Sequence, residues 1–435
     1  MQKQEEYVLR TVEERGVRFV RLWFTDILGS LKSFAITPAE LESAFEDGMR
    51  FDGSAIDGFS RDQESDMLAF PDARTFQILP WRSNDAGVAR IFCDIVTPDG
   101  TPFQGDPRWV LKRNLERAHE LGFSFYVGPE VEYFYFRDSG PDPEVLDHGG
   151  YFDLTPLDVA QEYRRSTIMA LESLGIPVES SHHEVSPSQH ELDLRHTDAL
   201  TMADNLITTR LAVKEVAMER GIYATFMPKP LQGFDGSGLH LHLSLFQNDT
   251  NAFHEDNGAY GLSKTAQGFI AGLLRHGSEI TALTNQWVNS YKRLVTGFDA
   301  PVYESWGRSD QAAVVRVPAV RPGKVASTRI EYRAPDPARN PYLAFSVILA
   351  AGLAGIEQNY ELPAEGTANG SAPVGAHRLP SNLASALDTM EGSELVRTAL
   401  GPHVFEWFLR NKRREWQRYE QHVSRYELDT YLPVL

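Results

Sequence analysis

The chain has 435 residues, 42% of them hydrophobic and 11% aromatic, and carries a formal net charge of −18. That length exceeds what one hydrophobic core sustains, so about two domains are expected, and the negative charge argues against nucleic acid or an anionic membrane as partner. No apolar run reaches the roughly 18 residues of a membrane span, no leader-like segment opens the chain, and the single cysteine, Cys93, forms no internal disulfide and fits a reducing cytoplasm.

Taken in chain order, residues 2–15 have the spacing of an amphipathic helix, and residues 17–24 alternate as a strand. Gly29 marks a turn into a second strand at 31–36, and Thr37-Pro38-Ala39-Glu40 reads as a cap with proline at the start of a helix. Strands near 76–80 and 89–95 complete a small α+β unit over residues 1–100, bounded by the turn-rich Pro98-Asp99-Gly100-Thr101-Pro102. Pro107 opens a long helix to about 121, and residues 101–435 mix helices with well-separated strands, as in a larger α+β domain. The apolar stretch 342–356 is too short to span a membrane and reads as a buried helix. Residues 367–380 read as a surface loop, and the basic cluster 410–414 as a solvated helix face.

Chemistry concentrates in a few motifs. In Asp235-Gly236-Ser237-Gly238-Leu239-His240-Leu241-His242-Leu243-Ser244, alternation puts His240, His242 and Ser244 on one strand face and three leucines on the other. In GPEVEYFYF (128–136), Glu130 and Glu132 share a face of an otherwise apolar strand. Two such carboxylates repel each other and pay for burial, and a cation is the usual remedy. HHEVSPSQHELDLR (182–195) adds Glu184 and Glu191 around a Ser-Pro-Ser turn, and RIEYR (329–333) adds Glu331 between Arg329 and Arg333. Five glutamates and a histidine suit a hard divalent ion, Mg²⁺ or Mn²⁺, better than zinc.

These motifs, together with FDGSA (51–55), FMPKP (226–230), NSYKRLV (289–295) and PDPARNPYLAF (335–345), resemble type I glutamine synthetase in identity and order. The resemblance implies an α+β fold: an N-terminal β-grasp domain (1–100) and a glutamine synthetase catalytic domain (101–435) whose curved antiparallel sheet lines a funnel. It also implies a homo-oligomer of two hexameric rings, a dodecamer, with the FDGS segment completing a neighbour's site. The implied reaction is an ATP-dependent ligation of L-glutamate to ammonia or a primary amine through γ-glutamyl phosphate. By motif match, Glu132, Glu184 and Glu191 would hold one metal ion, and Glu130, His240 and Glu331 a second. His196, His242, Ser244 and Arg329 would face ATP, with His196 near the adenine. Arg293 and Arg333 would grip glutamate, with Asp235 and Gly236 beside it. Arg316 would clamp phosphate, Asp52 would deprotonate the amine, and Asp299 would sit on a flap over the acyl phosphate.

Three residues depart from the family pattern: Asp299 replaces glutamate, Gln311 replaces the arginine of Asn-Arg-Ser, and Asp235 replaces asparagine. They leave the implied metal ligands and the implied glutamate-gripping arginines in place and alter the amine end, which favours a primary amine or polyamine over ammonia. An ordinary ammonia-using glutamine synthetase is the alternative, and a catalytically weakened glutamate- and ATP-binding regulator a minor one. Asn359-Tyr360-Glu361-Leu362-Pro363 only loosely matches the tyrosine context that is adenylylated in some family members.

Overall fold

The structure is a computed structural model that describes residues 3–54, 56, 58, 66–81, 87–298, 300–308, 313–321, 323–366 and 376–435. Asp299, Asp310, Gln311, Ala312 and most of the loop expected at 367–380 lie outside the described residues.

In the N-terminal part, helix α1 (Lys3–Glu14) turns Val8 and Val12 inward. Strands β1 (Val17–Thr25), β2 (Leu31–Ile36), β3 (Met49–Asp52), β4 (Asp66–Pro71), β5 (Gln77–Ile78) and β6 (Gly87–Val96) form a sheet in the order β2-β1-β6-β4-β3, with β5 on β6. The central pair β1 and β6 is parallel and the rest antiparallel, the arrangement of a β-grasp domain. The strand expected near 76–80 is only two residues long, because Pro80 has no N–H to give a ladder. Thr37 makes no side-chain cap; Pro38 heads a 3₁₀ turn, and α2 (Leu41–Asp47) follows it.

Helix α3 (Pro107–Glu120) is capped by Asp106, whose side chain accepts from the Arg108 and Ile95 amides. Arg108 binds the first sheet to the helices behind it. Its guanidinium reaches Asp94 at 2.7 Å, Asp72 at 2.9 Å and, through two nitrogens, Asp204 at 3.0 and 3.2 Å. Asp204 lies on α5 (Ala199–Glu219).

The second sheet contains β7 (Ser124–Phe136), β8 (Val178–His183), β9 (Gln189–Leu194), β10 (Thr197–Asp198), β11 (Tyr223–Thr225), β12 (Leu239–Gln247), β13 (Thr250–Asn251), β14 (Tyr303–Gly307), β15 (Ala313–Arg316) and β16 (Ile330–Tyr332). Its order is β14-β15-β16-β12-β7-β9-β8, with β10 and β11 on β7 and β13 on β12. It is curled, and antiparallel except for β14 with β15.

The helices of this part are α4 (Gln161–Ser173), α6 (Lys264–Arg275), α7 (Gly277–Thr284), α8 (Ser290–Arg293), α9 (Pro341–Glu357), α10 (Leu383–Glu391), α11 (Glu394–Leu400), α12 (Pro402–Glu420) and the exposed α13 (Arg425–Tyr431). Helix α9 is the expected buried helix, with every residue from Pro341 to Gly355 inside the core. It meets α6 backbone to backbone: a Cβ on Gly355 would fall 2.0 Å from the Gly268 carbonyl oxygen, and one on Gly272 would fall 2.1 Å from that of Ala351. Among the described residues no helix is long and apolar enough to cross a membrane.

The basic cluster 410–414 departs from expectation. Arg410 and Arg414 are exposed, but Lys412 is fully buried. Its ammonium lies 3.6 Å from the centre of the Trp287 ring and 2.8 Å from Glu415, so the hydrophobic wall of α8's approach, not water, faces it.

Candidate active site

Strand register assembles the site. Glu130 on β7 lies opposite His240 on β12 and Asp193 on β9, and Glu132 lies opposite Glu191. Glu191 in turn faces His182 on β8, and His242 faces Glu331 on β16. Residues paired across antiparallel strands share a face, so five neighbouring strands send their polar residues to one side. Leu239, Leu241 and Leu243 go to the other side, at most 1% exposed. Glu184 follows β8 directly, where its amide closes the turn onto the Gln189 carbonyl at 2.8 Å.

Glu130, Glu132, Glu184, Glu191, His240 and Glu331 all line one cavity of about 1080 Å³, together with Arg316 and Arg333. His240 Nδ1 is 3.1 Å from Glu130 and 3.8 Å from Glu331, and its Nε2 is 3.9 Å from Glu132. His242 Nε2 reaches Glu130 at 2.6 Å. Glu331 also meets Arg316 at 2.5 Å and Arg333 at 3.3 Å. The ligand atoms of Glu130, Glu191 and His240 fall within 4.8 Å of one another, as do those of His182, Glu184 and Glu191.

The electrostatics are those of crowded, dry carboxyls. Burial, then the neighbouring Glu184, pushes Glu132 up to about 7. Burial, then Glu132, drives Glu191 well above the usual range. Burial also works against Glu130, yet hydrogen bonds from His240 and His242 hold its carboxyl well below that range. Protons kept on Glu132 and Glu191 relieve a repulsion that a divalent cation would relieve instead, and an oxygen-rich donor set with one imidazole fits a hard ion.

A second cavity of about 630 Å³ adjoins the first through the shared residues Glu130, Ser180 and Asp193. It is lined by His196, His242, Ser244 and Arg329, the four residues expected on the nucleotide side. Arg329 donates to His242 Nδ1 at 3.1 Å, which leaves that ring's Nε2 for Glu130.

At the other end, Gly236 is pressed against the chain: a Cβ there would stand 2.2 Å from the Pro228 carbonyl oxygen. The Asp235 carbonyl accepts from Ser186 at 3.2 Å. Arg293 is 1% exposed, and its guanidinium donates to the carbonyls of Arg333, Ala334 and Pro335 at 3.0–3.3 Å. Asp52 is elsewhere. It lies on β3 at the edge of the N-terminal sheet, outside both cavities, with its carboxylate exposed and lowered by the Ser54 amide.

Two residues of the HHEVSPSQHE motif were missed by the sequence reading. His182 sits 2.8 Å from Glu184 and 3.7 Å from Glu191, flanked by the rings of Tyr151 and Phe152. Gln189, 1% exposed, donates to Glu132 at 2.8 Å and to the Gly236 carbonyl at 3.3 Å, so it ties the acidic row to the Asp235-Gly236 turn. Both lie on the inward alternation of strands already carrying acids, and that signal was available.

Comparison with known proteins agrees with this arrangement. Residues 16–98 match the family model of the glutamine synthetase β-grasp domain, and residues 104–431 that of the glutamine synthetase catalytic domain. The chain is 54% identical over 446 residues to a glutamine synthetase of Mycolicibacterium smegmatis, covering 100% of both chains. It is 49% identical over 442 residues to one of Methanosarcina mazei, covering 99% of this chain and 98% of the relative. A solved structure of GmaS in complex with ADP superposes with a TM-score of 0.90 at 31% identity, covering 98% of this chain and 99% of that one. On its strand register, its acidic cavity and these matches over its full length, the chain belongs to the glutamine synthetase family, a family of ATP-dependent ligases.

Proposed function

We propose that this protein joins the γ-carboxylate of L-glutamate to a primary amine or polyamine, using ATP and passing through γ-glutamyl phosphate. The observation that carries the reading is the row of six metal-competent side chains from neighbouring strands and the turn after β8, lining one cavity that opens onto a second, His- and Arg-lined cavity. Carboxylate is a poor electrophile. Attack of its oxygen on the γ-phosphorus of ATP expels ADP and makes an acyl phosphate, from which the amine nitrogen then displaces phosphate.

Glu132, Glu184 and Glu191 would hold one divalent ion, and Glu130, His240 and Glu331 another, Mg²⁺ or Mn²⁺. Such ions neutralise charge on a transferring phosphoryl group. Arg316 and Arg333 would meet phosphate and carboxylate oxygens, the two arginines being held ready by Glu331. Arg293 would act at the glutamate end, orienting the Arg333–Pro335 backbone by its carbonyl bonds. His196, His242, Ser244 and Arg329 would form the nucleotide wall; the likeness to GmaS with ADP supports this side of the reading.

Asp52 would attract the amine and take its proton. Its exposure at a sheet edge supports donation to a neighbouring copy in a dodecamer. Asp299 would cap the acyl phosphate. We assign residues 1–100 and 101–435 to the two domains, and the protein to the cytoplasm.

The negative charge of Asp235 at the glutamate end favours a cationic amine. Ammonia is the second reading, favoured by the name glutamine synthetase on relatives 54% identical to this chain. Mass spectrometry of products formed with ammonium, methylamine, ethanolamine or putrescine as sole nitrogen donor separates them. An amide from an amine at higher kcat/KM than glutamine from ammonium supports the first reading, and the reverse order supports the second. No amide with any donor overturns both.

A further inference from the structure

Lys229 makes contacts that the reaction as described does not use. Its backbone is fixed from both sides by one side chain: Asn289 Oδ1 accepts its amide at 2.8 Å, and Asn289 Nδ2 donates to its carbonyl at 3.0 Å. Asn289 is the residue that leads into α8, which carries Arg293. The Lys229 stem runs past Gly236, where a Cβ would fall 3.2 Å from its Cδ. Its ammonium donates to the Phe234 carbonyl and lies 3.6 Å from the centre of the Phe298 ring. Burial works against the charge of this ammonium, while the Asp235 carboxylate attracts it.

Phe298 belongs to the short segment that leaves α8. The Val295 amide donates back to the Arg293 carbonyl at 2.7 Å, Thr296 and Gly297 are exposed, and the Ala300 amide closes onto the Phe298 carbonyl at 2.8 Å. The Phe298 ring is half-buried and takes the cation on its face. An ammonium over an aromatic face is attracted by the ring quadrupole, and more strongly where water is thinned. One lysine therefore joins three pieces of chain: the Phe234–Gly236 turn, α8, and the segment 294–298.

We infer that Lys229 is a positioning residue that latches the segment 294–298 against the glutamate end of the site through its ammonium on the Phe298 ring. The inference rests on the ligase reading only for its consequence. An acyl phosphate reached by water is hydrolysed before an amine arrives, so a segment held down over that end couples phosphate release to amide formation.

Two readouts test it in the full chain. In the first, backbone hydrogen exchange of residues 294–298 is measured in Lys229→Met, which keeps the stem and loses the charge. Exchange is expected to rise about three- to tenfold, as the loss of one cation–π contact allows, and Lys229→Arg is expected to restore protection. In the second, phosphate released is compared with γ-glutamyl amide formed. Lys229→Met and Phe298→Leu should each lower the amide made per phosphate and raise the KM for glutamate more than that for ATP. The double variant should be no worse than either single one.

Unchanged exchange at 294–298 in Lys229→Met overturns the latch. So do additive effects of the two substitutions, or an amide-to-phosphate ratio equal to that of the unaltered protein. Absence of amide from the unaltered protein overturns the ligase reading alone, because the exchange experiment still reads the latch.

Discussion

Replacing Gln189 with leucine removes one donor from a buried carboxylate and little volume. Glu132 Oε2 takes two hydrogen bonds, from Gln189 Nε2 at 2.8 Å and from the Gly238 amide at 3.0 Å. Glu132 is 8% exposed, so water does not replace the lost donor. A hydrogen bond to a charged group is worth about 1.5–3 kcal/mol, and outer partners of metal ligands typically contribute about ten- to hundredfold in affinity. The two estimates agree, since about 1.4 kcal/mol is tenfold. Gln189→Leu should therefore weaken Mn²⁺ binding about ten- to hundredfold in calorimetric titration. The KM for glutamate should rise as well, because the same amide holds the Gly236 carbonyl. Unaltered Mn²⁺ affinity in a variant of native thermal stability would refute the claim that Gln189 supports a metal-binding Glu132.

Three further outcomes follow from particular contacts. Glu132 is raised to about 7 by burial and then Glu184, whereas an unfolded glutamate titrates near ~4.3. Between those values the folded, metal-free protein holds a proton that the unfolded chain has lost, so this group makes stability fall as pH rises through the window, and metal affinity climb. Urea unfolding in chelator at pH 5 and pH 7.5 should show that slope diminished in Glu132→Gln; an equal slope in both proteins would contradict it. Gly236→Ala places a Cβ 2.2 Å from the Pro228 carbonyl oxygen, an overpacking cost of about 1–3 kcal/mol that should appear mainly in the KM for glutamate. A KM within twofold of the unaltered protein's would show that the turn yields. Lys412→Ala strips the cation from Trp287 and leaves Glu415, whose other oxygen accepts the Val288 amide, without its partner. About 2 kcal/mol of stability should be lost in urea unfolding, and a loss below about 0.5 kcal/mol would place the lysine among ordinary surface residues.

Much of the site was legible because strand alternation has a period of two. Once Glu130-Val131-Glu132 and His240-Leu241-His242 are read as strands, their inward faces follow from the leucines and aromatics between them. What alternation does not encode is which strands are neighbours. The pairing of Glu132 with Glu191, and of Glu191 with His182, is a property of register, and it turns separate motifs into one row. Gln189 and His182 share the acids' face, but a lone amide or imidazole at a strand position reads equally as a packed core residue. Arg108 pairs with Asp72, Asp94 and Asp204, the last of them 96 positions away, and no local pattern announces it. Lys412 was misjudged because charge along a helix says nothing of a tryptophan arriving from a distant loop. Asp52 shows the converse: the motif around it is plain in the sequence, while its strand lies at a sheet edge and outside both cavities.

Divalent cations would separate these crowded acids, and counting the bound ions tests the proposed ligand set most directly. Equilibrium binding of Mn²⁺, followed by electron paramagnetic resonance in the unaltered protein and in Glu132→Gln with Glu191→Gln, is the measurement. About two ions per chain in the first and a clear loss in the second are predicted. Absence of bound Mn²⁺ at millimolar concentration, or the same count in both proteins, would contradict it.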